Sequence, residues 1–363
     1  DGLAFIYDTG SGKSYKGEPT VNLLNYTTEF NNWTATKNSG TTPTVTADTS
    51  VNPLGLAGAP MADKVYLPDD GTYPRIQQYF TPASTNTHTF SVWIRSISGN
   101  CDCFLGAFRN SPWSLPGSSV KSITGEWQRF TFSWTPPDTT THVIYMGSHD
   151  TAAQKGNTLE FWGAQMEAKS HATQFVDGTR SATQGLLDLT NTATIDISNV
   201  SFDSNAQMTF DGTNDYASLG NPTALRDLAE GAIETVYYRD ASSGTYQMVF
   251  TDAGSDLEIT YLGNTLQFYI GNSGLSYTHA VTDQWFNVVG TWSSGFKKLY
   301  INGVEVASGT NTGTDTGNRD RYVGGRGANF PFNGEIPIAR IYDRALTADE
   351  ILQNYNAFKS RFL

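Results

Sequence analysis

Two stretches of alternating apolar residues, Phe296, Leu299 and Ile301 on one side and Val304 and Val306 on the other, are separated by Asn302-Gly303. Asn-Gly is the pair best suited to the two left-handed positions of a tight turn whose twist matches the flanking strands. The segment is therefore predicted to be a twisted β-hairpin. Further on, Thr347 and Glu350 stand at capping-box spacing, each able to bond the other's backbone N–H, and Leu346 can staple onto Ile351. One short helix, from Ala348 to about Phe358, is predicted to follow, with Ile351, Leu352, Tyr355 and Phe358 on its buried face.

With 363 residues, the chain has room for two domains that each bury a core. Thirty-five glycines and 13% aromatic residues, against 16% charged residues, favour strands and tight turns over long amphipathic helices. The expected class is all-β. A net charge of −12 repels phosphate backbones and anionic bilayers, so neither nucleic acid nor a membrane surface is an expected partner; calcium or neutral sugars suit the charge better. No apolar run approaches the roughly 18 residues of a membrane span, and no secretory leader pattern opens the sequence. Cys101 and Cys103 are too close for an unstrained disulfide and lack the further ligands of a metal site, so they read as two thiols at a strand edge.

From Asn22 to about Ala182 the sequence becomes a series of short alternating runs bounded by Pro, Gly and Asp-rich turns. Phe90, Val92 and Ile94, like Phe130, Phe132 and Trp134, each fill one face of a strand, as packed sheets require. The opening of this stretch (Asn22, Leu23, Leu24, Phe30, Trp33) and its ending (Trp162 to Gln165, Glu167, Ala172, Thr173, Phe175, Gly178, Thr179, Ala182) resemble the carbohydrate-binding-module-like jelly rolls of phage fibre proteins. The hairpin and capped helix, with the acidic turn Asp211 to Tyr216, resemble instead the laminin-G-like (concanavalin A-like) jelly-roll domains of bacterial surface and phage virion proteins. Leu3, Phe5 and Tyr7 alternate in what resembles that family's first strand. The resemblance implies that first and last strands lie side by side, so Gly2–Asp8 is expected against Ile338–Tyr342. The expected organisation is thus two β-sandwich jelly rolls, one inserted into the other: residues 1–18 with 184–363 forming the laminin-G-like domain, and 19–183 the insert. Surface loops tolerate such insertion because domain termini lie close together.

Catalysis finds no support in the motifs. Ser11 to Ser14 reads SGKS, but Tyr7 stands where a phosphate loop needs glycine, and Gly17 and Pro19 follow where it needs a helix. The five histidines are scattered, and neither a nucleophile elbow nor a zinc-protease motif occurs. Asp256 and Glu258 share a strand face and imitate the paired carboxylates of sandwich-fold glycanases, a spacing that any strand can produce. Asp211, Asn214 and Asp215 close a turn, with a calcium role for their oxygens as the second reading. The oxygen-rich loop 315–320 offers the same two readings. Related domains often carry an acidic pair in the last strand where this chain has Pro337 and Ile338, so no role of that pair transfers.

Sugar recognition relies on aromatic rings stacked on pyranose C–H faces, with a few polar groups fixing orientation. Trp33, Tyr73, Trp113, Tyr246, Tyr277, Tyr322 and Phe330 lie outside the alternating runs and are the expected glycan contacts, with Arg321 beside Tyr322 in the Gly-rich loop. The other tryptophans, Trp93, Trp127, Trp134, Trp162, Trp285 and Trp292, fall within strands and read as core or interface. The resemblance implies a non-catalytic bacteriophage virion surface or tail-fibre protein, assembled as a homo-oligomer and binding cell-surface glycans. The alternatives are a structural capsid-decoration, fibre or filament subunit contacting other virion proteins, and a binding appendage of a secreted glycanase; a bacterial cell surface is the other expected location.

Overall fold

The computed structural model describes residues 2–55, 59–203, 205, 207–316 and 318–362. The chain forms two compact units, unit 1 from Asp1–Pro19 with Ser181–Leu363 and unit 2 from Thr20–Arg180. Both are antiparallel β structures, and the one helix of more than a turn or so among the described residues is Ala348–Phe362.

Unit 1 is a sandwich. Its first sheet runs, in spatial order, Ser201–Phe202, Met208–Asp211, Asn333–Tyr342, Gly231–Arg239, Gln284–Ser293, Phe296–Ile301 and Val304–Gly309. The second runs Asp196–Asn199, Tyr216–Gly220, Arg321–Val323, Tyr246–Asp252, Leu257–Leu262, Thr265–Ile270 and Ser273–Thr278. Every second side chain turns inward, and Ile233, Phe250, Ile259, Phe268, Trp292 and Ile341 from the two sheets meet in one core. The opening strand Leu3–Asp8 lies against Asn333–Tyr342, with Phe5 opposite Ile341 and Tyr7 opposite Ala339. Phe5 and Tyr7 enter the core. The Tyr7 hydroxyl donates to Ile336 O at 2.8 Å. Burial raises the Tyr7 pKa far above the ordinary phenol value, so the ring stays neutral. The start of the chain is therefore held by the final strand of the same sheet.

The hairpin at Asn302-Gly303 forms with φ of 51° and 79° at its two turn residues. Ile301 faces Val304 across it. At the helix start the Thr347 N–H donates to Glu350 Oε2 at 2.9 Å and the Glu350 N–H to Thr347 Oγ1 at 3.3 Å. The hydrogen bond from Arg344 holds the Glu350 carboxyl down at about 2. Leu346 and Ile351 share a buried cluster with Ala232, Val289, Tyr300 and Tyr342, so the helix packs on the outer face of the first sheet. It runs on to Phe362 rather than ending near Phe358, and its buried positions are Ile351 and Phe358. Leu352 is exposed and Tyr355 half-buried, because they flank the turn at Gly303 instead of facing the sheet.

Unit 2 is a second sandwich. One sheet runs Ser114–Ile123, Cys101–Arg109, His142–Gly147, Arg75–Phe80 and Thr34–Thr36; the other runs Gln128–Trp134, His88–Ser96, Asn157–Glu167, Ala62–Leu67 and Thr44–Ser50. Ile76, Leu105 and Ile144 of the first meet Val92, Phe132 and Phe161 of the second. The ribbon formed by Thr20–Val21 and Thr179–Arg180 draws the two ends of the unit together. Cys101 and Cys103 are free thiols at the start of their strand, paired with Ile123 and Lys121 on one side, while pairing with His142–Gly147 begins only at Phe104. Burial raises both of their pKa values.

Candidate ligand-binding sites

On the outer face of the second sheet of unit 1, strand alternation sends Glu258 and Tyr269, and the register shift between Met248 and Phe250 sends Met248, away from the core that Phe250, Ile259, Phe268 and Ile270 fill. Tyr246, Tyr269 and Phe330 line a cavity of about 360 Å³ there, together with Glu258, Arg326 and the turn residues Ser255, Gly271 and Asn272. Phe330 comes from the Gly-rich loop after Arg321–Val323 and holds a left-handed φ of 54°. Its carbonyl accepts the Met248 N–H at 3.0 Å, which fixes the loop to the sheet. Tyr246 and Phe330 meet edge to face, with centroids 5.8 Å apart, and the Arg326 guanidinium lies 5.3 Å from the Phe330 ring centre. Gly274 stands opposite Tyr269, and a Cβ on it would lie 2.5 Å from that ring, so the glycine makes the room that Tyr269 occupies.

Arg326 pairs with Glu258 through Nη2 and Oε1, and the Thr251 hydroxyl donates to the same carboxylate oxygen at 2.9 Å. Glu258 is buried, and Arg326 Nε has no hydrogen-bond partner among the described residues. Desolvation, then the charges of Tyr246 and Glu258, raise the Tyr269 pKa, so its hydroxyl remains a donor. The cavity thus combines aromatic surface with one neutralised ion pair. Glu258 is the one carboxylate in its lining. Asp256 is engaged elsewhere, by Arg319 at 3.2 Å and by the Thr316 hydroxyl.

A second groove, of about 250 Å³, opens on the outer face of unit 2, where Tyr73, Arg75, Phe108, Trp113, Tyr145 and His149 converge with Asn38. Trp113 stacks on Phe108 at 4.9 Å and Phe108 on Tyr145 at 5.2 Å. His149 stacks on Phe104 at 4.6 Å and meets Tyr73 edge to face at 5.3 Å. The Tyr145 hydroxyl donates to Ser148 O at 2.6 Å; burial raises its pKa, with Arg75 opposing.

The expected contacts divide accordingly. Tyr246 and Phe330 share the unit 1 cavity, and Tyr73 and Trp113 share the unit 2 groove. Tyr322 lies opposite Thr251 in the ladder, on the face that carries Glu258, but outside the cavity lining. Tyr277 lies opposite Leu266, a core residue, so it shares the inward face of an edge strand and is directed away from Tyr269. Two expectations are corrected. Trp33 is 4% exposed and packs on Phe30 at 5.1 Å, because the short 3-10 turn Phe30–Asn32 rotates it into the core; its indole N–H donates to Tyr26 O at 3.0 Å. Arg321 is 1% exposed and binds Asp315 and Asp252 with its guanidinium, so it holds the fold together and offers no ligand contact.

The acidic turn is likewise occupied by its own bonds. Asp215 accepts the Asp211 N–H at 2.8 Å and the Ser201 hydroxyl at 3.0 Å, while Asp211 accepts the Thr213 N–H at 2.8 Å. Desolvation raises the Asp215 pKa, and Asn214 is exposed. No group of three or more acidic, His or Cys side chains suited to a metal ion occurs among the described residues. The positions of Tyr246, at the start of its strand, and of Phe330, in a loop, were readable from sequence; those of Tyr269, Phe108 and Tyr145 were hidden inside strands. Tyr269 left one trace, being out of phase with Leu266, Phe268 and Ile270.

Residues 211–352 match the family model Laminin_G_3, the concanavalin A-like lectin/glucanases superfamily. The unit 1 cavity lies wholly within that segment. No curated protein matches the chain significantly. Among solved structures, domain 4 of AbnA, a GH43 extracellular arabinanase of Geobacillus stearothermophilus solved with arabinotriose, is similar at 22% identity and a TM-score of 0.34, over 40% of this chain and 74% of that one. The Trypanosoma rangeli sialidase is similar at 15% identity and 0.40, over 46% of this chain and 30% of its own length. The binding domain of botulinum neurotoxin serotype G is similar at 17% and 0.41, over 49% of each chain.

Proposed function

We propose that this protein is a non-catalytic surface or fibre protein of a bacteriophage virion that attaches to cell-surface glycans, and that the unit 1 cavity holds one sugar ring. The observation that carries this reading is the convergence of Tyr246, Tyr269 and Phe330 around the Glu258–Arg326 pair. A pyranose offers an apolar C–H face to such rings and hydroxyls to a fixed carboxylate and guanidinium. The absence of chemistry rests on the donor set: hydrolysis by paired carboxylates needs two of them flanking the bond, and Glu258 stands alone in the lining. The virion assignment is supported by the resemblance of both sandwiches to jelly rolls of phage fibres, which also favours a symmetric homo-oligomer on the particle surface.

A glycan array probed with the intact chain and with Tyr246→Ala and Phe330→Ala tests the reading. Each variant is expected to lower affinity for the bound glycan about tenfold, the scale of one lost stacking contact, with an unchanged melting midpoint. A chain that binds no glycan but forms a defined oligomer co-purifying with virions would replace adhesion with a structural role. Release of reducing ends from a polysaccharide would overturn the non-catalytic part.

A further inference from the structure

The groove on unit 2 differs in charge from the cavity on unit 1. Its lining contains Arg75 and His149 but, among the described residues, no carboxylate, in a chain of net charge −12. Arg75 is oriented by neutral acceptors alone: Nε donates to Gln77 Oε1 at 2.9 Å, and Nη1 to Asn38 Oδ1 at 3.1 Å and Tyr73 O at 3.0 Å. Its guanidinium rests 4.9 Å from the centre of the Tyr145 ring. Among the described residues lining the groove no carboxylate pairs with it, and the Tyr145 hydroxyl is a further neutral contact. The nearby Asp150 is engaged by Lys155 at 3.0 Å. A half-buried cation, pre-oriented and uncompensated, favours an anion by charge complementarity.

Beside this charge stands a flat apolar surface. Trp113 is 57% exposed, one ring face lying on Phe108 and the rest open to solvent. The stack beneath it is made possible by Gly106, where a Cβ would come within 2.5 Å of Phe104 and 2.9 Å of Phe108. We propose that this groove is a second ligand site, specific for an acidic saccharide: the sugar ring stacks on Trp113 and its carboxylate pairs with Arg75. A carboxylated pyranose satisfies both features at once, whereas a neutral sugar leaves the Arg75 charge unused. The inference is independent of the unit 1 cavity, whose cation is already neutralised by Glu258.

Calorimetric titration of the intact chain with trigalacturonate, trimannuronate and sialyllactose, each beside its methyl ester, tests this. At least one acid is expected to bind, and its ester, which keeps the shape and loses the charge, to bind at least tenfold more weakly. Trp113→Ala, an exposed position, is expected to lower affinity about tenfold with an unchanged melting midpoint, and Arg75→Met to abolish the preference for acid over ester. Tyr246→Ala and Phe330→Ala should leave this binding intact, which separates it from failure of the unit 1 reading. Absence of binding to all three acids at millimolar concentration, equal affinity for acid and ester, or unchanged affinity in Trp113→Ala would each overturn the proposal. The ester comparison uses the unaltered chain, so it holds even if Arg75→Met does not fold.

Discussion

Replacing Arg321 by Met separates a structural residue from a ligand contact. The guanidinium contacts Asp315 at 2.7 and 2.9 Å, Asp252 at 3.2 Å and the Leu225 carbonyl at 2.9 Å, and both carboxylates are fully buried. Met fills much of the side-chain volume but leaves two carboxylates without a cation, a change that costs about 3–5 kcal/mol. Unit 1 has about 200 residues, and for a domain of that size each kcal/mol moves the midpoint by about 2–4 °C. The expected fall is therefore about 6–20 °C at pH 7 by scanning calorimetry. The pH dependence has a definite sign. Desolvation already raises the Asp315 pKa with Arg321 opposing it, so removing the cation raises it further. A carboxyl whose folded pKa lies above its unfolded value of about 3.9 favours folding at low pH and loses that contribution as pH rises through the folded value. The deficit of Arg321→Met should thus be smaller at pH 5 than at pH 7. A variant that melts within 2 °C of the parent at pH 7 (about 1 kcal/mol or less) while losing glycan affinity would refute the reasoning, as would a deficit that grows on acidification.

Two further outcomes follow from the same packing. Thr347→Ala removes the hydroxyl that accepts the Glu350 N–H and should cost about 1 kcal/mol, read as a midpoint lower by about 2–4 °C. His279 is buried, and its Nδ1 lies 2.8 Å from the Tyr261 hydroxyl, which also contacts Tyr237. Desolvation and then Arg239 lower its pKa. A lowered histidine gives stability that is fully present above its unfolded value, about 6.5, and is lost as pH falls through the folded value. The unfolding midpoint of the parent chain should decline on acidification below that pH, and His279→Gln should flatten the decline. His88 in unit 2 is lowered in the same direction, so the difference between parent and variant is the quantity to measure.

Features set by neighbours in sequence were the legible ones. The turn at Asn302-Gly303, the Thr347–Glu350 box and the alternation of Phe5 with Tyr7 each depend on a few adjacent residues, and each stands in the structure where its local chemistry puts it. Arg321 illustrates what local reading misses. In sequence it sits beside Tyr322 in a Gly-rich loop; in space its partners are Asp315, six positions before it, and also Asp252, 69 positions away, and Leu225, 96 positions away. Trp33 fails for a related reason, since a single 3-10 turn decides whether a loop aromatic faces water or the core, and the sequence around Phe30–Asn32 carries no capping bond that marks it.

Tyr269, Phe108 and Tyr145 went unread for the opposite reason. Alternation identifies the two faces of a strand but does not say which is covered, and an aromatic on the outer face looks the same as one in the core. A small residue stands beside each ring, Gly274 opposite Tyr269 and Gly106 between Phe104 and Phe108, but core rings require the same room, Phe268 at Gly290 and Trp292 at Gly231. A glycine inside a strand weakens the strand unless something must approach closely. In-strand glycines in this chain therefore mark where a ring approaches closely, and the register with the neighbouring strands decides whether that ring lines a candidate site or fills the core.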